Sequence, residues 1–75
     1  MDELTELEEK VLDIINYESE MSKTGSVYWG YLERVIRNRL GENVYPKALI
    51  ENLLYLGKVI YTDRSQKGYF IKPTS

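Results

Sequence analysis

Apolar residues along this chain recur first at helical spacing and then, near the C-terminal end, at strand spacing. Leu4, Leu7, Val11, Leu12, Ile14 and Ile15 follow one another at intervals of three and four, which lines one face of an amphipathic helix. The pattern predicts a helix from Asp2 to about Ser19, with either Asp2 or Thr5 as its cap. Thr5 and Glu8 have the spacing of a capping box, and the acids crowding the first turns suit the positive end of the helix dipole. The stretch "SKTGS", residues 22–26, is a loop by composition. Val27 and Tyr28 can begin a very short strand before a helix that runs through Leu40, buries Leu32, Val35, Ile36 and Leu40, and stops at Gly41. Gly30 weakens its first turn by about 1 kcal/mol relative to alanine, which suggests a place where another backbone approaches closely. After the turn "ENVYP", Pro46 occupies the favoured first position of a third helix, Pro46 to Leu56. That helix buries Leu49, Ile50 and Leu53, turns Lys47, Ala48, Glu51, Asn52 and Tyr55 outward, and ends at Gly57.

The rhythm then changes. Two β-prone runs, near Lys58 to Thr62 and Gly68 to Lys72, flank Asp63, Arg64, Ser65, Gln66 and Lys67 as a hairpin loop. A lone two-stranded hairpin is marginal in water, so it must lean on the helices or gain a third strand, which Val27 and Tyr28 can supply. Only the first residue and the last few look loose. The expectation is one domain over residues 1–75, of α+β class, in the order helix, short strand, helix, helix, strand, strand.

Composition narrows the chemistry. The chain has neither cysteine nor histidine, which removes the commonest zinc ligands, the commonest general base and the usual nucleophile pairs. A chain this short has one small core and no room for a water-excluding cleft, so an enzyme is not expected, nor any metal or cofactor. No apolar run approaches the roughly 18 residues of a membrane span, and the acidic N-terminus is the reverse of a signal peptide, which predicts a soluble cytoplasmic protein. The net charge of −2 conceals an asymmetry. Residues 1–20 hold eight acids against Lys10, net −7, while residues 21–75 hold nine cations against four acids, net +5. Such a split predicts a basic surface with an acidic element held away from it.

The order of elements, with "YPKALIENLLYLGKVIYT" passing from the third helix through a glycine into a strand, resembles the winged-helix branch of the helix-turn-helix superfamily, whose small archaeal and phage or viral regulators have this size and layout. The resemblance spans roughly Leu4 to Lys72. It implies a winged helix-turn-helix that binds double-stranded DNA, with the third helix in the major groove and the hairpin loop, the wing, on the backbone. Groove-facing candidates are then Tyr45, Lys47, Ala48, Glu51, Asn52 and Tyr55, and wing candidates are Arg64, Ser65, Gln66 and Lys67. Arginine and lysine neutralise phosphates, asparagine pairs with the adenine edge, and the hydroxyls of Tyr28, Tyr31, Tyr45 and Tyr55 can donate to phosphate oxygens.

Each candidate also has a purely structural reading. A charged hairpin tip serves as a solvated turn, tyrosines serve as the rim of a small sheet, and Trp29 serves as a core anchor. Arg34, Arg37 and Arg39 can pair with the acids of the first helix. The expected function is that of a transcriptional regulator, associated with the nucleoid and acting as a homodimer on a two-fold site, with Leu4, Leu7 and Val11 as a seam unless that stripe covers the domain's own core. The alternative is a docking module for a protein partner through the third helix, favoured by its low charge, by exposed Leu54 and Tyr55, and by an isoelectric point near 5.1.

Overall fold

The computed structural model of the chain describes residues 4–65 and 68–74. The elements run α1 (Glu6–Met21), β1 (Val27–Tyr28), α2 (Trp29–Leu40), α3 (Pro46–Tyr55), β2 (Val59–Ser65) and β3 (Gly68–Pro73). The fold is α+β, three helices and an antiparallel sheet ordered β1-β3-β2.

Local chemistry explains where each helix begins and ends. Thr5 caps α1, with the Glu8 N–H donating to its hydroxyl at 3.1 Å and its own N–H donating to Glu8 Oε1 at 2.9 Å. This is the capping box, and it starts the helix at Glu6 rather than Asp2, which lies outside the described residues. The helix also runs two residues past Ser19. Beyond it, the hydroxyls of Ser22, Thr24 and Ser26 form a chain of hydrogen bonds that holds the loop. At the end of α3 the Gly57 N–H donates to Leu54 O at 3.1 Å and the Lys58 N–H to Leu53 O at 2.9 Å. These two bonds make a Schellman motif, and the φ of +76° at Gly57 is the left-handed value it demands.

In the sheet, Val27 and Ile71 are partners in one ladder, while Tyr61 and Ile71 are partners in the other. Partners across a ladder share a face, so Val27, Val59, Tyr61, Tyr69 and Ile71 point toward the helices while Tyr28, Ile60, Phe70 and Lys72 point away. Between Tyr61 and Arg64 β2 advances three residues while β3 advances two from Ile71 to Tyr69. That extra residue is a β-bulge, which bends and twists the outer half of the hairpin.

The core joins Val11, Ile14 and Ile15 of α1, Leu32 and Ile36 of α2, Val44, Ile50 and Leu53 of α3, and Val27, Val59 and Ile71 of the sheet.

Several expectations need correction. Val11 has no exposed surface, so it belongs to the chain's own core and has nothing to offer a dimer seam. Leu4 is half-buried against the same core, and Leu7 is exposed, at 36%. Leu54 is half-buried against the core rather than displayed. Ladder pairing continues to Ser65 opposite Gly68, so Asp63, Arg64 and Ser65 belong to β2 and not to a five-residue loop. Gln66 and Lys67 lie outside the described residues. Thr74 is tied down rather than loose, since its hydroxyl donates to Gly57 O at 2.9 Å. Gly30 makes room for the Tyr28 ring, not for a backbone. Among the described residues no helix is long and apolar enough to cross a membrane.

Candidate nucleic-acid interface

The outward face of α3 is set by its buried one. Pro46, Ile50 and Leu53 point into the core, which leaves Lys47, Ala48, Glu51, Asn52 and Tyr55 exposed on the opposite side. Tyr45, at the N-cap, is exposed as well, and Tyr55 is the most open large hydrophobic among the described residues at 87%. The expected polar flank is therefore present.

The hairpin stands beside it. Lys47 of α3 and Trp29 at the start of α2 line a shallow recess together with Tyr61 and Tyr69 of the hairpin. Tyr61 and Tyr69 are stacked, with ring centroids 4.9 Å apart and planes inclined by 30°. Both remain substantially exposed, at 46% and 43%. Partial burial, the nearby Glu51 carboxylate and Tyr69 together push the Tyr61 phenol above its ordinary value of 10.0, so it stays neutral and a hydrogen-bond donor at physiological pH. Arg64 is the ladder partner of Tyr69 at the bulge, and Ser65 that of Gly68.

Asn52 is engaged elsewhere. Its amide donates to Glu8 Oε2 across α1 and α3, so the residue expected to read a base edge instead ties two helices together. Glu8 thereby accepts from Thr5 and Asn52 while buried. The Thr5 N–H does most to hold its carboxyl below the ordinary value of 4.5; desolvation opposes this, and the Asn52 amide and Thr5 hydroxyl add to the lowering. The same contact brings the acidic first turn of α1 beside α3, whereas the charge split along the sequence had predicted it held apart.

The arginines of α2 do not neutralise that acidic turn. Among the described residues the only ion pair joins Lys10 and Glu6 at 3.7 Å, within α1. Arg39 instead lies over the Tyr17 ring, 5.6 Å from its centroid. Arg34 and Arg37 line a shallow depression that also holds Glu33 and Glu42. The exposed cations of α1 and α2 are thus dispersed, and Lys47 lines the crease between α3 and the hairpin.

Trp29, Tyr61 and Tyr69 were not among the residues singled out from the sequence as ligand contacts. A signal for two of them exists in the period of two. Val59 and Tyr61, like Tyr69 and Ile71, must share a face, so a core-facing strand that outruns its helices leaves its last tyrosines exposed. Compared with family models, curated proteins and solved structures, the chain matches none of them.

Proposed function

We propose that this chain is a DNA-binding protein of winged-helix type, a small transcriptional regulator that inserts α3 in the major groove and lays its β2–β3 hairpin on the backbone. One observation carries the reading: the outward face of α3 and the hairpin flank a common crease lined by Lys47, Tyr61 and Tyr69, so a single ligand can touch both. Lys47 supplies a phosphate contact there, and Arg64 and Lys67 supply further cations from the hairpin. Tyr45 and Tyr55, exposed at the two ends of α3, are placed to donate hydroxyls to phosphates on either side. Base reading falls to Ala48 and Glu51, because Asn52 is occupied by Glu8. Two copies on a two-fold site remain the natural arrangement for a single short recognition helix, though of Leu4, Leu7 and Val11 only Leu7 is exposed enough to join a seam.

The test is an amide-shift titration with mixed-sequence duplex at low salt. Shifts are expected at Lys47, Glu51 and residues 64–67, with affinity falling steeply as salt rises. Replacing Arg64 and Lys67 by alanine is expected to lower the log–log salt slope by about 2 across all sequences. No shift on α3 or the hairpin would end the DNA reading.

A second reading, a docking module for another protein, is favoured by one specific feature. The α3 face carries one lysine and one glutamate, together with exposed tyrosines at both ends, a composition closer to a protein interface than to a phosphate-binding one.

A further inference from the structure

We propose that the recess lined by Trp29, Lys47, Tyr61 and Tyr69 stacks an unpaired nucleobase, so that the protein prefers DNA with a single-stranded overhang to a blunt duplex. The proposal rests on the DNA reading for its ligand and adds the part of the DNA recognised.

The recess has a volume of about 230 Å³ and opens in the crease where α3 meets the hairpin. Its walls are three aromatic side chains and one ammonium group, which correspond to the two ends of a nucleotide, a flat π surface and an anionic phosphate. Tyr61 and Tyr69 order each other by stacking, yet each keeps more than two fifths of its surface open. Rings already held in place lose little entropy when a base arrives, which is what makes an aromatic platform effective for single strands. The bulge between Tyr61 and Arg64 twists the hairpin at this point, and β3 carries Tyr69 on the same face as the core residue Ile71.

A continuous duplex keeps its bases stacked on one another and offers such a recess only sugar and phosphate. An unpaired base has a free face. Lys47 disfavours the competing guest of an aromatic cage, an arginine or lysine side chain, because it would bring like charges together.

Trp29 is the chain's single tryptophan, so its fluorescence reports on the recess directly. The whole chain is titrated at low salt with a blunt duplex and with the same duplex carrying a short thymidine overhang. The overhang is expected to quench Trp29 and to raise affinity about tenfold, the effect of one stacked base. Tyr61→Ala is expected to abolish that advantage, so that the overhang duplex binds no more tightly than the blunt one, and Tyr61→Phe to retain it. Should Tyr61→Ala unfold, Tyr61→Leu keeps the apolar cover and removes the π face. Equal binding of both DNAs without quenching overturns the proposal and leaves the DNA reading standing. An equal loss on both DNAs in Tyr61→Ala also overturns it, since the recess would then contact backbone. Absence of binding to either DNA ends both readings.

Discussion

At the scale of single residues, Tyr28 shows how closely the second helix is fitted to the sheet. A Cβ placed on Gly30 would lie 2.7 Å from Cε2 of the Tyr28 ring, and one on Gly68 would lie 3.4 Å from Cε1. The ring therefore rests across two glycines, and it packs on Phe70 with centroids 5.8 Å apart at an angle of 55°. Gly68 needs no further explanation, since its φ of +136° is one that other residues rarely adopt. Gly30 is helical, and there the ring is the reason. Alanine at position 30 gains up to about 1 kcal/mol of helix propensity and incurs an overpacking cost of about 1 to 3 kcal/mol. Gly30→Ala is accordingly expected to destabilise by about 1 kcal/mol in urea unfolding, and to stabilise by up to that amount in a Tyr28→Ala background. The same sign in both backgrounds would show that the ring does not dictate the glycine.

At the scale of elements, α1 depends on a cap that also fastens it to α3. Glu8 is buried, bonded to Thr5 and to Asn52, and its carboxyl is held below 4.5 chiefly by the Thr5 N–H. The unfolded chain takes up that proton at higher pH than the folded one, so stability rises with pH through this range. The contribution is complete above the ordinary carboxyl value and is lost as pH falls below 4.5 through the lowered one. Glu8→Gln can keep the cap geometry but carries no charge. The wild type is expected to be more stable than this variant at pH 7, with the gap closing below pH 4.5; a gap that is constant with pH would mean the charge is not what matters. Thr5 and Glu8 could be recognised in the sequence because three residues separate them and the helix geometry does the rest. So could Gly41, Pro46 and Gly57, whose roles are equally local. The Asn52 contact could not, because its partner lies 44 residues away and no periodicity links them. Val11 was ambiguous for a related reason, since an apolar stripe looks the same whether its own core or a partner covers it. The hairpin was legible as two strands and misjudged in length, because a bulge allowed pairing to continue through Asp63, Arg64 and Ser65, residues whose types favour a turn.

At the scale of the whole molecule, the fold converts a charge split along the chain into a conflict at one surface. Glu8 anchors the first turn of α1 to the middle of α3, so Glu6 and Glu9 lie within about one helical turn, roughly 5 Å along the axis, of a residue bonded to Asn52. Both are exposed, and Glu6 is paired with Lys10. The Debye length is about 10 Å at 0.1 M salt, so phosphates approaching α3 at low ionic strength meet these carboxylates as well as Lys47. If α3 binds DNA, neutralising them in a Glu6→Gln, Glu9→Gln variant is expected to raise affinity roughly two- to fivefold at 50 mM salt, and to leave it unchanged near 0.5 M, where the Debye length falls to roughly 4 Å. The effect should be the same on every sequence, because a carboxylate beside the groove repels phosphate without reading a base. Equal affinities of variant and wild type at low salt would place the bound duplex away from α3. An apolar protein partner on that face would be indifferent to both substitutions at either salt, so one pair of titrations distinguishes the two proposed ligands by the range of the force each one feels.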